Sequence, residues 1–232
     1  MDSLASQKLK KNYRILKIMS NNDQTPEKAQ WVYDASNMEE LSERYDQWAQ
    51  DYDCDMINVF GSVGAQRTVE VFIKYVPVDV KILDVGAGTG IVGELLHQHG
   101  YRNFDGLDIS LKMMEVARRK NVYRSLYQEV LGQPLSLTTD TYQAIIAKGV
   151  FAPGHAPSSA FNELIRITAP GGIIVFTLRS DYYETSDFGE TQKDLEASGH
   201  WNLLEKTDSF AMWPKATEKL FYNVWIYEVT KP

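Results

Sequence analysis

Cysteine is almost absent from this 232-residue sequence, in which Cys54 is the single example. A lone cysteine cannot form an intramolecular disulfide, and four scattered histidines do not complete a Cys/His metal cluster around it. The sequence therefore predicts a fold without disulfides and a protein that holds no metal.

Long apolar runs are absent as well. No stretch reaches the roughly 18 apolar residues that a membrane span requires, and the polar N-terminal residues lack the apolar core of a signal peptide. We expect a cytoplasmic protein with no membrane partner, and a nuclear location stays open.

Positive charge is in the minority, because 24 Lys and Arg stand against 31 Asp and Glu, a net charge of −7. This balance disfavours a broad phosphate-binding surface, although it allows a local patch. Basic and apolar residues do alternate within residues 1–20, where a solvated terminal arm and an amphipathic contact with nucleic acid or membrane are both open interpretations.

The length and the 44% of hydrophobic residues allow one sizeable core. We predict an N-terminal arm and linker over residues 1–35, the part at 21–30 being polar, and a single domain over residues 36–232. We also expect a monomer.

A strand, a turn and a helix are predicted around residues 82–91. An apolar run carries Asp84, ends near Val85 and is followed by Gly86, Gly88 and Gly90. Glycines at this spacing let a ligand approach the main chain with no Cβ in the way, and the following helix turns its free N–H groups toward the ligand. The segment therefore predicts a nucleotide site.

The dinucleotide fingerprint G-x-G-x-x-G is not complete here, because Ile91 stands where its third glycine belongs. A carboxylate at position 84 would also repel a pyrophosphate, whereas it would attract a cofactor with a cationic end. A second strand is predicted to end in Asp108, about twenty residues further on, where an acid can accept hydrogen bonds from both ribose hydroxyls.

The run from Asp84 to Gly90, together with Asp108 at this distance, resembles the first motifs of class I S-adenosylmethionine-dependent methyltransferases. The resemblance implies a Rossmann-like α/β fold: a seven-stranded, mostly parallel sheet with an antiparallel last strand and helices on both faces. It also implies S-adenosyl-L-methionine as cofactor and S-adenosylhomocysteine as product. The cofactor-binding residues that it implies are Tyr45, Tyr52, Asp84, Gly86, Ala87, Gly88, Gly90, Asp108, Ile109, Met113, Glu129 and Lys148.

Aromatic residues recur at helical spacing before the first strand, at Tyr45, Trp48 and Tyr52. They are interpreted either as a stripe packed on the core or as a lid over the cofactor. The Y-D-x-W-A-x-x-Y-D pattern of many small-molecule methyltransferases resembles this segment and favours the lid, with Tyr45 and Tyr52 on the ligand and Trp48 in the core.

Further elements are predicted from apolar periodicity and turn residues. The predicted helices cover residues 59–76, 89–99, 110–120, 161–167 and 192–198. The predicted strands cover residues 125–130, 142–147, 173–179, 202–212 and 219–229, with a tight turn at 169–172 and the last two strands paired antiparallel at the sheet edge.

The loop at 148–157, after the fourth strand, lacks the [DNS]-P-P-[YFW] run of amino-group DNA methyltransferases, and no cysteine follows a proline there as cytosine C5 enzymes require. No DNA partner is therefore expected. Residues 45–53, 131–135 and 195–201 resemble most closely the methyltransferase-like proteins named for the Williams–Beuren syndrome chromosome region.

The methyl acceptor is expected to be a small molecule or a protein. His155, Asp181 and Tyr182 are candidates for a catalytic base by their positions after strands, or else loop residues with no chemical role. Two alternatives stay open: an RNA-modifying methyltransferase with Arg118, Arg119, Lys120 and Arg124 as a phosphate track, and a cofactor-binding module without transfer activity or an NAD enzyme.

Overall fold

The computed structural model describes residues 25–216 and 219–231. The basic segment within residues 1–20 lies outside the described residues. No helix within the described ranges is long and apolar enough to cross a membrane.

Eight strands of the described chain form one sheet. Its order is β3-β2-β1-β4-β5-β8-β6, and the short β7 pairs with β8. Neighbours from β3 to β5 are parallel, whereas β8 is antiparallel to both β5 and β6. The predicted fold class is thereby confirmed. The strands are β1 Ile82–Val85, β2 Phe104–Asp108, β3 Leu126–Gln128, β4 Tyr142–Phe151, β5 Thr168–Arg179, β6 Trp201–Lys206, β7 Phe210–Ala211 and β8 Phe221–Val229.

Helices cover both faces of this sheet, because consecutive residues of the central strands enter two separate apolar clusters. Leu83 and Ile145 belong to one cluster, and Ile82 and Ile146 belong to the other. Side chains that alternate between two buried faces are characteristic of a doubly covered parallel sheet. The helices are α1 Thr25–Tyr33, α2 Met38–Trp48, α3 Tyr52–Cys54 with a π-helical turn Asp55–Val59, α4 Gly64–Tyr75, α5 Ile91–Gln98, α6 Leu111–Arg119, α7 Ala160–Ile167, α8 Ser180–Thr185 and α9 Phe188–Ala197.

The prediction of a polar linker over residues 21–30 is wrong from Thr25 onward, because α1 begins there. Ala29 and Val32 are buried on one side of α1, at a helical spacing of three. The predicted helix over 59–76 also begins later, at Gly64. Gly61 has φ +58°, which interrupts the helical conformation after the π-helical turn.

Two further predictions need correction. The turn at 169–172 is an irregularity inside β5, where pairing shifts from Tyr142 with Thr168 to Ala144 with Ile173. The predicted strand over 202–212 is divided into β6 and β7, and the last strand lies between β5 and β6, so β6 forms the edge.

Candidate active site

The glycine turn after β1 forms an open main-chain surface at the carboxyl end of the sheet. Gly86, Gly88 and Gly90 all have positive φ, at 69°, 56° and 88°. A Cβ added at Gly88 would meet nothing nearer than the Gly86 oxygen at 3.9 Å, so the space above Gly88 is free for a ligand. The amides of Gly86 and Ala87 donate to the Leu107 carbonyl at 2.7 and 3.0 Å, which holds the turn against the end of β2.

The Asp108 carboxylate is held in place by main-chain donors. Gly88 N donates to Oδ2 at 2.7 Å and Ser110 N donates to Oδ1 at 2.8 Å, so each oxygen keeps a lone pair for another donor. Burial raises the pKa of Asp108 to about 6, against the lowering effect of these amides. Above that pH Asp108 presents an oriented anion to the cavity, which suits a ribose diol.

Asp84 is fully buried beneath the glycine turn. Tyr123 Oη donates to Asp84 Oδ2 at 2.7 Å, and Oδ1 has no hydrogen-bond partner among the described residues. Burial raises the pKa of Asp84 to about 7, although the Tyr123 hydrogen bond and the charge of Lys148 lower it. Its charge thus lies behind the turn rather than on the cavity wall.

The segment over residues 25–60, which we call the lid, covers the cavity and is attached to its rim by polar contacts. Ser42 Oγ donates to the Ile109 carbonyl at 3.1 Å, and Asp46 Oδ1 accepts from Ser110 Oγ at 2.6 Å and from Lys112 N at 3.0 Å. Asp53 in turn accepts from the Thr89 hydroxyl beside the glycine turn. Lid carboxylates and hydroxyls therefore connect to both loops that follow β1 and β2.

Aromatic side chains and His155 form the opposite part of the cavity. Tyr45 Oη lies 2.8 Å from His155 Nε2, and His155 Nδ1 lies 3.0 Å from the Pro153 carbonyl. Since a carbonyl can only accept, Nδ1 carries the proton and Nε2 accepts from the Tyr45 hydroxyl. Burial lowers the pKa of His155, so the ring is neutral at pH 7.

The cavity brings together most of the predicted site residues. Those that line it are Tyr45, Tyr52, Gly86, Gly88, Asp108, Ile109, Met113, Glu129, Lys148 and His155. Trp48 is 4% exposed and packs in the core while also reaching the cavity wall.

Five predicted residues do not line the cavity: Asp84, Ala87, Gly90, Asp181 and Tyr182. Asp181 accepts from Arg179 Nε at 2.6 Å, with 61% of its side chain exposed, and Tyr182 packs on Phe188 at a centroid distance of 5.5 Å. The structure therefore does not bring these two base candidates to the site.

Sequence reasoning missed several wall residues, among them Tyr33, Met212, Trp213 and Tyr222. The Tyr33 and Tyr222 hydroxyls lie 3.2 Å apart although 189 positions separate them. The alternating apolar pattern of the last strand included Tyr222, but no local signal showed which of its faces meets α1.

Strand order, the glycine turn after β1 and the acid at the end of β2 define the class I S-adenosylmethionine-dependent methyltransferases. Residues 83–176 match the methyltransferase domain family. The chain is 32% identical over 169 residues to human Methyltransferase-like protein 27, an alignment that covers 69% of this chain and 67% of that protein. The chain belongs to the same family of S-adenosylmethionine-dependent methyltransferases, and the predicted class and cofactor are confirmed.

A second relative is the malonyl-[acyl-carrier protein] O-methyltransferase of Pectobacterium atrosepticum, with 32% identity over 105 residues, 44% of this chain and 40% of that protein. Among solved structures, the [4+2]-cyclase SpnF superimposes with a TM-score of 0.64 at 14% identity, over 85% of this chain and 98% of that one. A putative methyltransferase in complex with Trm112 of Haloferax volcanii superimposes with a TM-score of 0.61 at 18% identity, over 80% of this chain and 97% of that one. These structural likenesses bear on the fold alone.

Proposed function

We propose that this enzyme transfers the methyl group of S-adenosylmethionine to a small molecule bound between the lid and the carboxyl end of β4. The observation that carries this proposal is the coverage of the cavity by α1 and α2, whose residues Ala29, Tyr33, Leu41 and Tyr45 form part of its wall. A covered, largely apolar cavity suits a compact acceptor better than a folded protein or a nucleic-acid strand. A protein side chain inserted from outside is the other acceptor that the sequence predicts.

We further propose that the cavity residues divide the cofactor between them. Asp108 accepts hydrogen bonds from the ribose hydroxyls, Gly88 leaves room for the amino-acid end beside Gly86, and Met113 and Glu129 contact the adenine. Tyr45 and Tyr52 cover the ligand, Ile109 and Lys148 complete the wall, and Ala87, Gly90 and Asp84 support the turn from behind. The free lone pairs of Asp108 and the open space above Gly88 support this assignment.

When bound, S-adenosylmethionine supplies a methyl carbon on a positively charged sulfur. The chain's own contribution is alignment and the exclusion of water, because positive charge disappears from the sulfur as the methyl is transferred. The aromatic side chains of the lid form the wall that excludes water. The Tyr45–His155 hydrogen bond fixes the imidazole ring of His155 beside that wall.

The predicted phosphate track has fewer available cations than the sequence suggested, which weighs against an RNA substrate. Lys120 pairs with Asp53 at 2.7 Å and with Glu94 at 2.6 Å, so one of the four predicted cations already has carboxylate partners. Paired cations are less available to phosphates.

The test is transfer from tritiated S-adenosylmethionine to cell extract, with the label then measured in low-mass, protein and RNA fractions. We expect a labelled low-mass product that separates from unreacted S-adenosylmethionine, and labelled product confined to RNA or protein would contradict a small acceptor. Calorimetry should give tight binding of S-adenosylhomocysteine and none of NADH, and size-exclusion chromatography should give a monomer. Cofactor binding without label in any fraction would favour the module without transfer activity.

A further inference from the structure

Lys148 follows the last β4 residue that pairs with β1, at the end of the sheet where the cavity lies. The preceding residue, Ala147, pairs with Val85 of β1 and with Phe176 of β5. Lys148 itself lines the cavity, and a Cβ added at Gly64 would lie 3.0 Å from its Cε. Its side chain therefore reaches the start of α4 and forms part of the cavity wall.

Within the described ranges, no carboxylate oxygen lies within 4.0 Å of Lys148 Nζ, and Nζ makes no hydrogen bond to protein. Burial lowers the pKa of Lys148 to about 8, and the Asp84 carboxylate, at longer range, raises it. An ammonium in a largely apolar cavity is costly unless an anion accompanies it. The cavity is thus complementary to an oxyanion beside Lys148.

Of the three base candidates that the sequence offered, His155 alone lines this cavity, and both of its ring nitrogens are engaged in hydrogen bonds. His155 uses Nδ1 to donate to Pro153 and Nε2 to accept from Tyr45, and Asp181 is paired with Arg179 away from the cavity wall. A nucleophile that must lose a proton would have to displace the Tyr45 hydroxyl before His155 Nε2 could accept that proton. A carboxylate oxygen needs no deprotonation at neutral pH.

We propose that the methyl acceptor is a small organic acid whose carboxylate pairs with Lys148 and receives the methyl group. This inference rests on the proposed small-molecule transfer. A lone pair of the carboxylate oxygen forms the new O–CH₃ bond while the C–S bond breaks and its electron pair remains on sulfur. The products are a methyl ester and neutral S-adenosylhomocysteine, and no proton moves. The ester no longer pairs with Lys148, which favours its release.

The same ammonium could instead meet the carboxylate of the cofactor's own amino-acid end. The two sources differ in one respect that binding can measure, because 5′-methylthioadenosine has the adenosine and sulfur but no amino-acid end. Contact of the Lys148 stem with the cofactor is compatible with either.

The test measures phenylacetate and phenylacetamide binding to protein saturated with S-adenosylhomocysteine, because the two probes share a shape and differ in charge. We expect phenylacetate to bind at least tenfold more tightly to the unmodified enzyme and to K148R. The preference should vanish in K148M and persist in K193M, a control at an exposed lysine of α9. Equal binding of the two probes, or a preference that survives in K148M, would overturn the proposal.

A second arm separates the two carboxylates. If K148M weakens the binding of S-adenosylhomocysteine tenfold but leaves the binding of 5′-methylthioadenosine unchanged, Lys148 holds the cofactor and the proposal fails. Retained affinity for both supports it. Labelled product from extract should release volatile methanol in mild alkali, as methyl esters do, and alkali-stable label would count against it. Failure of the unmodified protein to bind S-adenosylhomocysteine would instead defeat the proposed function.

Discussion

The Tyr123 hydroxyl donates a 2.7 Å hydrogen bond to Asp84 Oδ2 underneath the glycine turn. The same ring supports the helix that follows, because a Cβ added at Gly93 would lie 2.4 Å from the Tyr123 hydroxyl oxygen. Asp84 therefore lies beneath the glycine turn, where its charge acts on the cavity through its electric field and not by direct contact.

The pH dependence of folding should report this buried acid. The folded-state pKa of Asp84 is raised from 3.8 to about 7, so between these values the native state holds a proton that the unfolded chain has released. Stability from this group therefore increases as pH falls from 8 toward 5, by up to about 1.4 kcal/mol per pH unit. Asp84→Asn should flatten this slope in denaturant titrations.

Asp108 titrates in a neighbouring window, and its carboxyl remains in both proteins. Because the Asp84 charge also raises the pKa of Lys148, which is about 8, the slopes are compared below that pKa. Equal slopes for Asp84→Asn and the unmodified protein would show that the carboxyl is not the source.

Removal of the Asp108 carboxylate should weaken the binding of the cofactor. Asp108→Ala loses an acceptor held by two main-chain amides, and we expect a loss on the order of 2–3 kcal/mol in the binding of S-adenosylhomocysteine. Calorimetry measures this, with Asp194→Ala on the exposed side of α9 as the control. Unchanged affinity would refute the ribose contact.

Gly88→Val should block the site by filling the space above the turn. Its φ of +56° also strains any residue with a Cβ, so binding has to be compared with stability. Gly100→Val is a matched control, because Gly100 has φ +95° and a Cβ there would meet nothing within 4 Å. We expect both substitutions to lower the melting temperature by similar amounts. Only Gly88→Val should weaken the binding of S-adenosylhomocysteine by tenfold or more.

The contacts of Asp46 should set how long the lid stays closed. Asp46→Ala removes its hydrogen bonds to Ser110 Oγ and Lys112 N, whereas Ser110 can still cap α6 through Met113 N at 3.1 Å. We therefore predict a several-fold faster dissociation of S-adenosylhomocysteine with little change in melting temperature. Stopped-flow measurement would decide this, and an unchanged dissociation rate would show that Asp46 does not hold the lid.

Local sequence patterns were sufficient to predict a large part of the fold. The apolar run before Gly86, the acid at position 108 and the cap at Ser110 are features of short segments, and the β1–α5 and β2–α6 units form where the sequence indicated them. The α1 helix was missed because the polar residues of the predicted linker hid a short buried side, Ala29 and Val32, which meets its partners only in the folded chain.

The sequence by itself determined the class of the protein and its cofactor, because the run from Asp84 to Gly90 and the acid at Asp108 lie in one short stretch of chain whose spacing resembles the first motifs of that class. Only the tertiary structure decided that Asp84 pairs with Tyr123, that His155 is held by Tyr45, and that no described carboxylate oxygen lies within 4.0 Å of Nζ of Lys148 in the cavity wall. These relationships join residues 39 and 110 positions apart, or depend on what is missing around a side chain. Such distances and absences arise from packing, which no periodicity along the chain records.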